Sequence, residues 1–150
     1  MGRFKFRLAT LLRLRELARD ERRAQLAQAC RAQELLDEQR RQLDEHLSGL
    51  HRCARLAAGP GAIDVDRLLE ARRFEAVLLA QRQQVDQQRE AIGREVERRR
   101  QALVEANREV HVLDSLRARQ HERYLAEEGR REIKILDEIA LQRALREERP

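Results

Sequence analysis

From Leu26 onward, seam positions return at alternating three- and four-residue steps through Ala29, Gln33, Leu36, Arg40, Leu43, Leu47, Leu50, Ala54 and Ala57. That spacing lays a stripe along one side of a long helix, as a coiled coil requires. Gln33 and Arg40 are its polar interruptions. Residues 4–58 hold no proline and one glycine, Gly49, among abundant Ala, Leu, Arg, Glu and Gln. These are the better helix formers, so one helix is expected over 4–58. The strongest break follows at Ala57-Ala58-Gly59-Pro60-Gly61: glycine ends a helix through positive φ, and proline cannot continue the hydrogen-bond ladder. A turn over 59–63 then leads to Asp64, an N-cap candidate, with Ile63 and Leu68 at the two positions of a hydrophobic staple. The second helix is expected over 64–148.

The corresponding line in that helix reads Ala71, Phe74, Leu78, Gln81, Val85, Gln88, Ile92, then Val96, Arg99, Leu103, Ala106, Val110 and Leu113. The step from Ile92 to Val96 is four where three is due, a stutter that unwinds a supercoil locally, and Gly93 inside it marks a candidate bend. At 1.5 Å per residue the helices measure about 80 and about 125 Å. The expected fold is therefore all-α, an antiparallel two-helix coiled-coil hairpin forming a single domain over 1–150, with the longer second helix overhanging. Reversal at Pro60 would bring the amino-terminal end to residues 112–116. Beyond about residue 120 no partner remains within the chain, yet Ile133, Leu136, Ile139 and Ala140 still form an apolar stripe. Such a stripe asks for another chain.

Composition supports narrow seams over a broad core: 39% of the 150 residues are charged and 3% aromatic, with no tryptophan, against roughly 25% charge in an ordinary domain. The formal net charge is +5. Nearly all the base is arginine, since Lys5 and Lys134 are the only lysines, and residues 1–23 carry eight basic and three acidic groups. A basic end suits nucleic acid, anionic lipid or an acidic protein surface, and charge alone does not choose. Cys30 and Cys53 make no CxxC pattern, consistent with reduced thiols. The start interrupts its apolar stretch with Arg13 and Arg15, which makes a poor secretory signal, and no later segment has the 18 or so apolar residues of a spanning helix. A soluble, intracellular chain is expected.

Catalytic chemistry is sparse. There is no GxxxxGK[ST] or GxGxxG, and a helical hairpin offers no deep pocket in which to desolvate a nucleophile and its base. No enzyme activity, cofactor or small-molecule substrate is expected. His46, His51 and Cys53 invite a metal, but five residues place the histidines about 140° apart around a helix, so the ligands do not converge. His111 and His121 are isolated. Glu38, Glu45, Glu95, Glu97 and Glu105 fit solvated charged faces. Arg98-Arg99-Arg100 point around the helix instead of forming one stripe, and without aromatic platforms nucleic acid is the lesser alternative. The run Phe4-Lys5-Phe6-Arg7-Leu8, followed by Leu11, Leu12, Leu14 and Leu17, is more apolar than a one-sided helix needs. It either clamps the open end of the hairpin against Val110, Val112, Leu113 and Leu116 or faces a partner. Phe74 and Leu78 read as seam residues.

Two terminal motifs carry a resemblance. Phe4-Lys5-Phe6-Arg7-Leu8-Ala9-Thr10-Leu11-Leu12-Arg13-Leu14-Arg15, together with Val112-Leu113-Asp114-Ser115-Leu116 through Tyr124, Glu128 and Glu132 to Leu136-Asp137-Glu138-Ile139-Ala140, resembles the FliJ family of the bacterial flagellar type III export apparatus over nearly the full length. The resemblance implies a non-enzymatic coiled-coil stalk and coupling factor, similar to the central stalk of rotary ATPases. Its implied partners are the hexameric export ATPase, the cytoplasmic domain of the export gate membrane protein, and export chaperones. It would be cytoplasmic and peripherally associated with the inner membrane. The residues expected at the ATPase are Phe4, Phe6, Leu11, Leu12, Arg13, Arg15, Leu136, Asp137, Glu138 and Ile139. Those expected at the gate are Leu43, Leu47, Leu50, Phe74, Leu78 and Val85. A nonflagellar type III secretion stalk, and an arginine-rich helix binding nucleic acid or anionic membrane, are the rival readings.

Overall fold

A computed structural model describes residues 4–61 and 63–147, with side chains to residue 144. Two helices account for 92% of it, and no strand occurs among the described residues. Helix α1 spans Ala9–Ala57 and helix α2 spans Val65–Glu147, and the many contacts between them make an all-α helical hairpin. No helix among the described residues is long and apolar enough to cross a membrane. Residue 62 of the expected turn and residue 148 of the expected second helix lie outside the described residues.

The first helix starts at Ala9, five residues later than the sequence pattern suggests. The Ala9 amide donates to the Phe6 carbonyl at 3.2 Å and the Leu12 amide to the Leu8 carbonyl at 2.9 Å, so winding begins after the Phe-Lys-Phe-Arg run. In that run Phe4 and Phe6 are half-buried while Lys5 and Arg7 are exposed. Burial every second residue belongs to extended chain, and a helix would have carried the two rings to different faces.

At the other end of α1, the Ala58 amide reaches Ala54 and the Gly59 amide reaches the Leu56 carbonyl at 3.3 Å, a tightened last turn. Gly61 follows with φ of 153°, a conformation that side chains rarely tolerate. Asp64 then caps α2: its Oδ1 accepts from the Arg67 amide at 3.1 Å, satisfying one of the free N–H groups of the first turn. Ile63 stays exposed.

The chain divides into two compact units, Met1–Asp20 with Glu105–Pro150, and Glu21–Val104. In the second of these every seam position expected on α1, from Leu26 to Ala57, is buried or half-buried. On α2 the phase differs from the sequence reading. Phe74, Gln81 and Gln88 are exposed, and Glu75, Arg82 and Arg89 occupy the seam instead. The series Leu68, Ala71, Glu75, Leu78, Arg82, Val85, Arg89, Ile92, Val96, Arg99, Leu103 alternates three and four residues without interruption, and all its members are buried or half-buried. The stutter at Ile92 therefore disappears, and α2 runs through Gly93 unbroken.

Four cross-helix pairs set the register of this unit: His51 with Glu75, Asp44 with Arg82, Arg40 with Asp86, and Asp37 with Arg89. All are centred on Ile63, three residues later than the reversal at Pro60 that the sequence suggests. The turn is a loop of several residues, not a corner at the proline.

Candidate functional site

In the unit formed by residues 1–20 and 105–150, Leu12, Ala106 and Val110 are the buried apolar side chains. Arg15 reaches across to Glu109 at 2.9 Å. The Phe4 ring stands edge-on to His121, with centroids 5.0 Å apart, and lies tilted against Tyr124 at 5.7 Å. The Phe4 ring thus meets α2 at residues 121 and 124, beyond the expected 112–116; within that stretch Leu113 and Leu116 are half-buried and Val112 is exposed.

The residues expected at the ATPase separate into groups. Leu12 is 4% exposed and belongs to the contact between the helices, so it presents nothing to a partner. Phe4 and Phe6 are half-buried, and Arg15 is committed to Glu109. Leu11 and Arg13 face solvent, as do Leu14 and Leu17. On α2, Leu136 is 64% exposed and Ile139 43%, and Ile133, Ile135 and Leu141 are exposed as well. Asp137 and Glu138 are also exposed, and every side chain from 130 to 144 is in solvent. Among the described residues this stretch of helix keeps its aliphatic side chains in solvent.

The residues expected at the gate fall in the other unit. Leu47 is 5% exposed and Leu78 3%, while Leu43, Leu50 and Val85 are half-buried, so these five lie in the seam. A seam residue meets a partner only if the helices part. Phe74 is 53% exposed, contrary to the expectation that it packs in the seam. The heptad phase chosen by apolarity puts it inward, whereas Glu75 takes that place because His51 and Arg72 both reach its carboxylate.

Those contacts shape the electrostatics. His51 Nε2 lies 2.7 Å from Glu75 Oε1, and Arg72 donates to Oε2 at 2.9 Å. These bonds hold the Glu75 carboxyl below its ordinary value, His51 being the larger cause. Arg40 donates through Nε to Asp86 at 2.7 Å and also engages Asp44. The Arg40 bond likewise lowers the Asp86 carboxyl, and Asp86 in turn raises Arg40. Arg89 donates to Asp37 at 2.6 Å. The three successive arginines are committed too: Arg98 and Arg99 both bond Glu95, Arg99 also donates to the Gln25 carbonyl at 2.6 Å, and Arg100 pairs with Glu97 at 3.5 Å. Glu95 is thus half-buried instead of purely solvated.

Among the described residues no group of three or more His, Cys, Asp or Glu gathers to hold a metal, and Cys30 and Cys53 are free thiols. The openings are grooves along the helix pair, such as the one near the turn lined by Leu50, His51, Arg55, Leu68, Arg72 and Glu75. The paired charges of the seam escaped a reading based on apolar spacing. Their signal was the opposite signs mirrored about the turn, Asp37, Arg40 and Asp44 against Arg89, Asp86 and Arg82.

No curated protein and no solved structure matched the chain. A family model, that of the flagellar FliJ protein, matches residues 4–149. With its two-helix architecture and both terminal motifs inside that match, the chain belongs to the FliJ family, the non-catalytic coiled-coil components of the flagellar export apparatus.

Proposed function

We propose that this chain is the stalk and coupling factor of its export apparatus, binding the hexameric export ATPase and linking that ring to the export gate and to export chaperones, peripherally at the inner membrane. The observation that carries this reading is the unaccompanied stretch of α2 on which Ile133, Leu136 and Ile139 stand in solvent. A ring that surrounds a helix supplies what such a stretch lacks, because it offers apolar surface from several sides at once. Fully burying an aliphatic side chain of this size is worth about 1.5 to 3 kcal/mol, and with each of these already about half covered several must be covered together to hold a complex. Exposed Leu11 and Arg13, and the amino-terminal segment held by Phe4 and Phe6, belong to the same unit. Asp137 and Glu138 supply charge that orients the contact without adding much affinity.

For the gate, Phe74 is the contact we favour, since it alone of the six expected residues is exposed. Leu43, Leu47, Leu50, Leu78 and Val85 then act indirectly, by holding α1 and α2 together. Generic binding to polyanions is the weaker alternative, because Arg98, Arg99 and Arg100 are each already bonded within the chain.

The test is titration of purified full-length chain into its cognate export ATPase at low salt, reading binding and ATP turnover. Wild type is expected to bind and stimulate, and the double substitution Leu136→Asp, Ile139→Asp to lose both while keeping its helical circular dichroism. Absence of binding, or a double variant that behaves as wild type, refutes the assignment.

A further inference from the structure

On the overhang, Glu132, Leu136, Ile139 and Arg143 follow one another at steps of four, three and four residues. They therefore lie within a narrow arc of one helix face, all of them exposed. The spacing is palindromic: read from either end it is the same, with its centre between residues 137 and 138. The chemistry is palindromic only with inversion of charge, an acid at one end, a base at the other, and two aliphatic side chains between. Ile135 and Ala140 are also related by that centre, one on each flank of the arc. Neither Glu132 nor Arg143 has an ion-pair partner among the described residues.

We propose that the free chain pairs with a second copy of itself through residues 132–143, the two overhangs lying antiparallel across a two-fold axis. Turning one helix end for end sets Leu136 of each copy on Ile139 of the other, and Glu132 of each against Arg143 of the other, so each favourable pair is made twice. Self-complementarity of this kind is what a two-fold interface demands. The parallel arrangement fails on the same residues, since it opposes Glu132 to Glu132 and Arg143 to Arg143, and like charges across a helix seam select against that orientation. The patch is small. It supports a dissociation constant on the order of 10 to 100 µM, below the area at which dimers become permanent.

This association is independent of the export assignment, because it needs no other protein. It has a consequence for it, however: the same side chains cannot cover one another and a ring at once, so a chain that has left the apparatus shelters its own overhang.

Sedimentation equilibrium of the full-length chain alone, from about 5 to 500 µM, tests the inference. Wild type is expected to shift from monomer to dimer across this range. Glu132→Arg and Arg143→Glu each create two like-charge contacts per dimer and should weaken association roughly tenfold. The combination of the two restores the pairs with their signs exchanged and should return the dimer to near wild-type strength. Leu136→Asp should leave a monomer of unchanged helicity, since that side chain is 64% exposed in the single chain. A chain that stays monomeric throughout, or charge variants whose combination is no better than either alone, overturns the proposal. Monomer in isolation combined with ATPase binding that depends on Leu136 overturns it too, and assigns the face to the ring.

Discussion

Which residues fill the seam of α2 is decided by comparing two substitutions four positions apart, Leu78→Ala and Phe74→Ala. Leu78 is 3% exposed and Phe74 53%. Truncating a buried leucine to alanine removes about 70 Å² of buried apolar surface, worth about 2 kcal/mol at about 25 to 30 cal/mol per Å². A residual cavity adds up to about 1 kcal/mol, less than in a wide core because a seam one side chain thick lets the helices and water close in. The expected loss for Leu78→Ala is thus about 2 to 3 kcal/mol. Phe74 has roughly half its surface in water already, so its truncation should cost about 1 kcal/mol or less. The opposite heptad phase, with Phe74 in the seam, predicts about 3 to 5 kcal/mol for the same change. Urea unfolding followed by circular dichroism at 222 nm measures both as shifts of midpoint at constant slope. Should Phe74→Ala prove as costly as Leu78→Ala, the phase described here is wrong, and with it the placement of Glu75, Arg82 and Arg89 between the helices.

Acidification should weaken the hairpin. The carboxyls of Glu75, Asp86 and Glu38 are held below their ordinary values of 4.5, 3.8 and 4.5 by their hydrogen bonds to His51, Arg40 and Arg41 respectively. Their contribution is complete above those ordinary values and is lost as pH falls through the lowered ones. Urea midpoints should therefore be level through neutral pH and decline below the ordinary carboxylate range, and Glu75→Gln should flatten part of that decline. Asp64→Ala removes the cap on α2 and should cost about 1 kcal/mol, with amide exchange quickened first at residues 65–68. Exchange unchanged there would refute the capping role.

The sequence revealed what depends on local chemistry. Gly59, Pro60 and Gly61 stop a helix wherever they fall, Asp64 caps the next one by its own side chain, and the α1 seam is apolar enough to be followed from Leu26 to Ala57. The exposed stripe on the overhang was equally visible, because it is defined by lacking neighbours. What depends on the partner strand of a seam was hidden. Phe74 looks like a core residue and Glu75 like a surface one until His51 and Arg72 are brought beside it, and the half-buried places of Arg82 and Arg89 are matched by Asp44 and Asp37 opposite. The start of α1 at Ala9 is hidden for a related reason. Phe4 and Phe6 alternate with Lys5 and Arg7, a two-residue period that the surrounding helical composition masked. Of the residues expected to meet partners, Leu12, Leu47 and Leu78 are apolar, and that apolarity is what buries them between the helices.

Leucine against leucine forgives a slip, since moving one helix by a heptad exchanges each contact for an equivalent one. Arg40 on Asp86 and Arg89 on Asp37 do not forgive it: a slip of seven residues toward the turn would leave Arg40 facing Leu79 and set Asp44 against Glu75. Between residues 21 and 104 the two helices consequently behave as a rack with meshed teeth. A push along one helix of this unit is therefore opposed at every charged pair it shares with the other.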